Sequence, residues 1–252
     1  MGPLVEDGFG WQNGTRAAVS FTFDDARISQ IDRGMALFAE YEIRGTFYVS
    51  PQMMEERLSD WKDSVKAGHE IGCHTFNHPC SGNFPFSKDR ALENYTLDKM
   101  VDECKQADEH IFQRLGVSPV TFAYPCGQTF VGRGKDTRSY VPIIAERYEA
   151  GRAYLNESAN DPGFCDLSHL TSFASDGAQA QDMIDLIRLA EESGEWVIFA
   201  GHEIGIPKHH QNTGIDVLRK VFDYVALHSE TVFTAPVTDI AEYLKGARTC
   251  IK

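Results

Sequence analysis

The chain has 252 residues, of which 42% are hydrophobic, and its 37 acidic against 24 basic side chains leave a formal net charge of −13. This composition is typical of a globular protein with a sizeable core, and the longest apolar run, at 196–201, is far shorter than the ~20 residues of a membrane-spanning helix. Because the acidic balance repels phosphate backbones and anionic lipids, the sequence predicts neither a nucleic-acid partner nor a membrane partner.

The N-terminus and the cysteines give information on the cellular compartment of the protein. The first ten residues contain neither a basic n-region nor an apolar h-region, so the sequence as it stands predicts a cytoplasmic protein, with a previously removed signal peptide as the alternative. The six cysteines are sparse and form no CxxC motif, which favours free thiols over a disulfide scaffold or a zinc ribbon. They are Cys73, Cys80, Cys104, Cys126, Cys165 and Cys250.

Short β-like runs alternate with amphipathic segments along the chain, without an internal repeat or a linker. Runs rich in β-branched and aromatic residues predict seven strands, at 17–23, 45–49, 69–73, 120–124, 151–154, 196–200 and 231–235. Apolar spacings of three and four predict helices, at 29–41, 54–67, 97–115, 137–147, 178–193, 215–228 and 237–244. Helix C-caps are expected at Gly68, Gly194 and Gly246. This alternation predicts one α/β domain over 1–252, with its core at about 17–244 and a mostly parallel sheet.

Polar side chains follow two of the predicted strands. The first strand ends in Asp24-Asp25, and the third runs into a loop that holds His74 and His78. Taken alone, the aspartates suit a turn or a helix N-cap, and the histidines suit surface or core positions. In parallel sheets, however, chemistry gathers at the carboxyl ends of the strands, which would bring these groups together. Two imidazoles and one carboxylate then form an open Zn²⁺ site that activates water, with the second aspartate free to accept a proton.

Three further features extend or compete with this metal site. The sixth strand ends at His202, a candidate general acid for protonating a leaving amine. The fourth strand closes in a Pro-x-Gly turn, where the backbone N–H of Cys126 could face a developing oxyanion, although a simple turn explains the residues equally well. A rival interpretation uses Cys73 and Cys80 with the histidines as a closed structural metal site.

In this order and near strand ends, four motifs resemble those of the polysaccharide deacetylases of carbohydrate esterase family 4, the NodB homology domain. The motifs are Thr22-Phe23-Asp24-Asp25, His74-Thr75-Phe76-Asn77-His78, Phe122 to Gly127, and Gly201-His202. The first two match closely, the later two more loosely, and the likeness covers 17–244. The resemblance implies a distorted (β/α) barrel of about seven parallel strands.

The resemblance also implies a role for individual residues. The expected ligands of Zn²⁺, or of a similar divalent ion such as Co²⁺ or Ni²⁺, are Asp25, His74 and His78. Asp24 would be the general base and His202 the general acid. The Cys126 N–H would complete the oxyanion site, and Thr75 would support the loop between the histidines.

Two departures from the family pattern concern the partners of the base and of the acid. Ala123 stands where the third motif usually has an arginine that pairs with the base, and Arg152 in the next predicted strand is a candidate substitute, with a solvated or structural arginine as the alternative. The aspartate that normally orients the catalytic histidine has no clear match. Asp161 and Asp166 are candidates, so that role stays open.

The residues predict a metal-dependent hydrolase, and the resemblance implies that its substrate is an acetylated carbohydrate. The expected reaction is removal of N-acetyl groups from amino-sugar glycans of the chitooligosaccharide or peptidoglycan type. O-acetyl ester hydrolysis on xylan and cyclic amide hydrolysis are alternatives within the same superfamily. A non-catalytic carbohydrate-binding barrel is the alternative from another class.

Overall fold

A computed structural model describes residues 9–250, without the side chain of the last of these. The strands are β1 Ala17–Asp24, β2 Thr46–Val49, β3 Glu70–Cys73, β4 Thr121–Ala123, β5 Phe130–Val131, β6 Arg138–Ser139, β7 Ala150–Arg152, β8 Phe173–Ala174, β9 Trp196–Gly201, β10 Glu203–Ile204, β11 Asn212–Thr213 and β12 Val232–Thr234. The α-helices are α1 Met35–Glu40, α2 Pro51–Glu55, α3 Leu58–Lys66, α4 Leu97–Leu115, α5 Val141–Arg147, α6 Ala180–Ser193, α7 Ile215–Leu227 and α8 Val237–Cys250.

Eight of the strands form one sheet in which every neighbouring pair is parallel. Its order is β7-β4-β3-β2-β1-β9-β8, and β12 also pairs with β1. The first half of β1 pairs with β12 and the second half with β2, so the sheet is irregular at this point. The predicted α/β class and the distorted (β/α) barrel are confirmed, and all seven predicted strands are present within two residues of their bounds.

β1 lies at the centre of this sheet, and all eight of its residues are buried. Because side chains alternate along a strand, Val19, Phe21 and Phe23 join the large apolar core on one face. The opposite face is polar near its end: the Ser20 hydroxyl donates to the carbonyl of residue 235, and the Thr22 hydroxyl donates to that of residue 199. This alternation brings the last residue of the strand, Asp24, onto the polar face.

The helix predictions are correct in type but not in every boundary. α4 has the predicted bounds because Thr96 caps its first turn and Gly116 ends it in a left-handed conformation. The predicted helix at 29–41 is present over 28–40, but its segment Gln30–Gly34 is π-helical and continues into α1. Gly246 is not a C-cap, because α8 runs through it.

Two other predicted helices have different bounds in the structure, for reasons that lie in their local sequence. The predicted helix at 54–67 is divided into α2 and α3, since Pro51 starts a helix early and Arg57 interrupts it with φ −133°. The predicted helix at 137–147 starts only at the beginning of α5, because Arg138–Ser139 pairs with β5 instead. β8 was not predicted at all, since two residues carry no alternation signal.

The prediction of free thiols is wrong at two positions. Cys80 and Cys126 form a disulfide, with 6.3 Å between their Cα atoms, because the loops after the neighbouring strands β3 and β4 bring them together. Cys73, Cys104 and Cys165 are free. Disulfides persist in oxidising compartments, so the cysteines no longer support a cytoplasmic location. Among the described residues, no helix is both long and apolar enough to span a bilayer.

Replacement of Gly72 by alanine tests the packing of the barrel interior. A Cβ atom there would lie 2.4 Å from Tyr48 Cδ1 and 2.9 Å from Thr121 Oγ1. We expect Gly72→Ala to lower the free energy of unfolding by about 1–3 kcal/mol, measured by urea denaturation. In the control Gly246→Ala, no atom lies within 4 Å of the new methyl group, and helix propensity should raise stability by about 0.5–1 kcal/mol. Equal midpoints for the two variants would contradict this packing.

Candidate functional site

The carboxyl ends of the parallel strands open into a cleft of about 960 Å³. Side chains that follow β1, β3, β4, β7 and β9 reach this cleft, as expected for a parallel sheet. Six of the residues singled out in the sequence line it: Asp24, Asp25, His74, His78, Cys126 and His202. The structure therefore brings together side chains that are distant along the chain.

Asp25, His74 and His78 form a compact set of metal-ligating atoms. Asp25 Oδ1 lies 3.6 Å from Nε2 of His74 and 3.6 Å from Nε2 of His78. One donor atom from each residue lies within 4.8 Å of the others. Donors about 2.1 Å from a tetrahedral Zn²⁺ would be about 3.4 Å apart, so these residues fit such an ion with little movement.

The protonation states favour metal binding. His74 Nδ1 lies 2.8 Å from the carbonyl oxygen of Ala123, and donation to it leaves Nε2 as the ligand atom. Burial, reinforced by neighbouring His74, lowers the pKa of His78 to about 4, which keeps its imidazole neutral. Burial would raise the pKa of Asp25, but His78, His74, His202 and Arg27 outweigh it and hold this pKa at about 2. Arg27 donates to the other oxygen of Asp25, Oδ2, at 2.8 Å.

The loop that carries the two histidines is tightly constrained. Thr75 and His78 are left-handed, with φ of 62° and 50°, a conformation that is costly for residues other than glycine. The Thr75 hydroxyl donates to the carbonyl of His74 and accepts from the backbone N–H of His78. From α4, Glu103 accepts hydrogen bonds from the backbone and the side-chain amide of Asn77, each at 2.8 Å. These bonds fix the direction of both imidazoles.

Unlike Asp25, Asp24 does not join the two histidines, because its side chain pairs with Arg152. A guanidinium nitrogen of Arg152 pairs with Asp24 Oδ1, and both side chains are buried. Arg152 also donates to the carbonyl of residue 153 at 3.1 Å and lies 5.0 Å from the centre of the Tyr48 ring. In the strand register, Arg152 is directly opposite Ala123. Arg152 thus pairs with Asp24 from the position of β7 that is opposite Ala123 of β4.

His202 is oriented by Asp176. Its Nδ1 lies 2.6 Å from Asp176 Oδ2, and its backbone N–H donates to Asp176 Oδ1 at 3.1 Å. Burial would lower the pKa of His202, but the hydrogen bond to Asp176 and the charges of Asp24, Asp176 and Asp25 outweigh it, and the pKa is raised. Asp176 therefore makes the imidazole of His202 easier to protonate than a free imidazole.

The two aspartates proposed from the sequence for this role do not contact His202. Asp161 accepts a hydrogen bond from the backbone N–H of Gly163, and Asp166 accepts from Ser168. Both cap local turns in the loop before β8, whereas Asp176 follows β8 directly. The sequence signal for Asp176 is only the turn Ser175-Asp176-Gly177, which is weak without a recognisable strand before it.

Gln30 is a second residue that the sequence did not reveal. It is fully buried, and its side-chain amide donates to the carbonyl of Asp24 at 2.7 Å and to that of His202 at 2.9 Å. One side chain thus ties the end of β1 to the end of β9. Gln30 lies within the predicted helix at 29–41, and nothing in the sequence shows that its side chain reaches both strand ends.

The turn after β4 places Cys126 at the cleft. Cys126 is left-handed, with φ 54°, and the turn is closed by hydrogen bonds from the amides of residues 127 and 128 rather than from its own. The rival metal site built from Cys73 and Cys80 is wrong. Cys73 is fully buried in an apolar cluster with Phe122 and Tyr148, and Cys80 is paired with Cys126.

Comparison with known proteins gives a consistent result. The family described as polysaccharide deacetylase matches residues 12–140, just over half of the chain. Chitin deacetylase 1 of Cryptococcus neoformans is 26% identical over 150 residues, which are 59% of this chain and 28% of the relative. A peptidoglycan-N-acetylglucosamine deacetylase of Bacillus cereus is 29% identical over 110 residues, which are 43% of this chain and 46% of the relative. The chain thus spans less than half of the length of these curated relatives.

Similarity to solved structures extends over the whole fold. The structure of Puue allantoinase superposes with a TM-score of 0.69 at 14% identity and covers 95% of this chain and 94% of that chain. At this level of identity, the likeness is one of fold.

Asp176→Asn tests the electrostatic partner of His202. Because the carboxylate stabilises the imidazolium, its removal should lower the pKa of His202, measured by NMR titration of the metal-free protein. Asp161→Asn is the matched control and should leave this pKa unchanged. A fall in pKa in the Asp161 variant rather than the Asp176 variant would contradict the pairing.

Arg152→Met tests the buried ion pair. Loss of the guanidinium leaves Asp24 as a buried, unpaired charge, so we expect unfolding free energy to fall by about 3–5 kcal/mol in urea denaturation. The double variant Arg152→Met/Asp24→Asn should regain part of this loss, because the uncompensated charge is gone. The control Arg188→Met breaks an exposed pair with Asp185 and should cost less than about 1 kcal/mol. Equal losses from the two single variants would be inconsistent with the buried pair.

Proposed function

The chain belongs to the polysaccharide deacetylase family, and from that premise we propose that it is a metal-dependent hydrolase that removes N-acetyl groups from amino-sugar glycans. The single observation that carries the proposal is that Asp24, Asp25, His74, His78 and His202 line one cleft. Asp25, His74 and His78 form a metal-donor set, and the buried side chains of Arg152 and Asp176 pair with Asp24 and His202. The relatives named for chitin and peptidoglycan deacetylation support the choice of an amino-sugar substrate.

The donor set supports Zn²⁺, with Co²⁺ or Ni²⁺ as similar ions. Two imidazole nitrogens and one carboxylate oxygen suit borderline divalent ions and leave room for a further ligand. When bound, such an ion would supply Lewis-acid chemistry, since it lowers the pKa of water towards 7 and polarises a carbonyl oxygen. Asp25, His74 and His78 would hold it, and Arg27 would keep Asp25 in place.

Asp24 is suited to act as the general base. Arg152 holds one of its carboxylate oxygens, Oδ1, and so fixes the direction of the other. From this position at the cleft, Oδ2 would accept a proton from the attacking water molecule. Gln30 holds the backbone of the same residue and therefore limits how far the carboxylate can move.

His202 is suited to act as the general acid. Its Nδ1 faces Asp176, which leaves Nε2 to deliver a proton to the amine nitrogen that leaves the substrate. Its raised pKa favours the proton-carrying form that this step requires. The backbone N–H of Cys126, which is not used in its own turn, would donate to the oxyanion that develops on the acetyl carbonyl.

The rim of the cleft supports a neutral, ring-shaped substrate. Phe84, Phe86 and Leu155 line the cleft with exposed side chains, of which Phe86 is 54% exposed. The ring centroids of Phe84 and Phe86 lie 5.4 Å apart. The two rings form a surface on which the apolar face of a sugar can pack.

Acetate release measures this proposal directly. We expect the zinc-loaded protein to release acetate from N-acetylglucosamine oligomers and to lose this activity when a chelator removes the metal. Asp24→Asn should lower turnover by at least about 100-fold while metal content stays unchanged, because the proton acceptor is lost and Asp24 is not one of the metal donors. Because the variant also leaves Arg152 without its counter-charge, circular dichroism checks that it is folded. Asp161→Asn, on an exposed loop, is the control and should retain full turnover.

The outcomes on other substrates separate the alternatives. Acetylated xylan tests ester hydrolysis, and allantoin tests cyclic amide hydrolysis. Acetate release from acetylated xylan alone would identify an ester hydrolase instead of an amide hydrolase. Turnover of allantoin alone would identify a cyclic amide hydrolase instead of an enzyme that acts on carbohydrate. Tight sugar binding with no turnover on any substrate would identify a non-catalytic binding barrel.

A further inference from the structure

The imidazole of His78 faces two different sets of donor atoms. Its Nε2 lies 3.6 Å from Asp25 Oδ1, on the side of the candidate metal site. Its Nδ1 lies 3.7 Å from Cys80 Sγ, on the opposite side of the ring. By contrast, Nδ1 of His74 has a carbonyl oxygen at 2.8 Å. Nδ1 of His78 therefore lies beside a sulfur atom, whereas Nδ1 of His74 lies beside an oxygen atom.

The sulfur next to His78 belongs to the Cys80–Cys126 disulfide. A nitrogen of His78 and the two Sγ atoms all lie within 4.8 Å of one another. Two cysteine thiolates and one imidazole are a typical donor set for Zn²⁺ and other thiophilic divalent ions. Sulfurs about 2.3 Å from a tetrahedral ion are about 3.8 Å apart, so an ion needs the S–S bond broken and the sulfurs slightly separated.

We propose that reduction of the disulfide creates a second metal-binding site at His78 Nδ1, Cys80 Sγ and Cys126 Sγ, which takes a thiophilic divalent ion such as Zn²⁺, Cd²⁺ or Co²⁺. The chain supplies three ligands and solvent supplies the fourth, since His78 and Cys126 both line the cleft. This site differs from the rejected one with Cys73, which lies in another cluster. It does not rest on the proposed function, although it shares His78 with that donor set: the first site uses Nε2 and the second uses Nδ1.

The redox step is balanced with a trialkylphosphine as reductant. Phosphorus attacks one sulfur, the S–S bond breaks, and its electron pair goes to the other sulfur. Water then delivers oxygen to phosphorus and two hydrogens to the sulfurs, so the products are one phosphine oxide and two thiols. Each thiol passes its proton to solvent when the ion binds. When the first site is also filled, the remaining N–H proton of His78 passes to solvent as well, and the ring bridges the two ions as imidazolate. The reductant reaches the bond through Cys126, which is half-buried at the cleft, whereas Cys80 is fully buried.

The backbone holds the three ligands near their final positions. Cys80 is fixed by Ser87, whose hydroxyl accepts from the Cys80 N–H and donates to the Cys80 carbonyl, each at 2.8 Å. The Cys126 turn is closed by its own backbone bonds, which do not depend on the disulfide. The two loops should therefore stay in place when the sulfurs part.

Co²⁺ titration of the full chain tests this proposal, since cobalt–thiolate bonds absorb in the near ultraviolet. Metal-stripped protein is titrated in the oxidised form and after phosphine reduction. The oxidised form should bind one Co²⁺ per chain without thiolate absorption. The reduced form should bind one further equivalent, and thiolate absorption should appear. Cys126→Ser should lose most of this absorption, and Cys165→Ser, which removes the half-buried free thiol, should retain it.

Two further measurements separate the possible failures. His74→Ala should lose the first equivalent of Co²⁺ but keep the thiolate absorption, so failure of the proposed function does not affect this test. Far-ultraviolet circular dichroism reports whether the reduced chain stays folded. A folded reduced chain without thiolate absorption would overturn the proposal, and so would absorption that disappears in Cys165→Ser and persists in Cys126→Ser. Unfolding on reduction would also overturn it, because the site requires both loops in place.

Discussion

The buried ion pair between Arg152 and Asp24 connects opposite parts of the barrel. Their strands, β7 and β1, are separated by three strands in the sheet, so the guanidinium reaches across the interior. Removing two charges from water is costly, and such a pair is tolerated only when further polar contacts compensate it. Here the carbonyl of residue 153 and the ring of Tyr48 provide them. The position of Asp24 therefore depends on a residue that is 128 positions away in the sequence.

The loops around this ion pair contain residues in strained backbone conformations, which a flexible chain would not adopt. Asp25, Thr75, His78 and Cys126 are all left-handed, at a typical cost of about 1–3 kcal/mol each. Hydrogen bonds and one disulfide offset this cost by tying each loop to a rigid element, as Glu103 of α4 does for the histidine loop. The strained conformations and the bonds that offset their cost both limit the directions in which the ligand atoms can point.

The sequence predicts the parts of the site that follow long strands. Asp24, Asp25 and His74 stand at the ends of runs with a clear β pattern, so their meeting at one edge follows from a parallel sheet. Asp176 was missed because β8 has two residues and no alternation. The disulfide was missed because its cysteines are 46 residues apart, and nothing in their spacing shows that β3 and β4 are neighbours. Contacts that depend on which strands are adjacent are not encoded in local patterns.

The two adjacent aspartates show how a one-residue difference separates two roles. Asp24 is the last residue of β1, so strand alternation turns it to the interior, where it meets Arg152. Asp25 leaves the strand with φ 73°, and this left-handed step directs it towards His74 and His78. Each carboxylate then has its own cation, Arg152 for the first and Arg27 for the second. Because each carboxylate has its own guanidinium partner, the repulsion between the two adjacent aspartates is offset at both positions, and the two side chains can point in different directions.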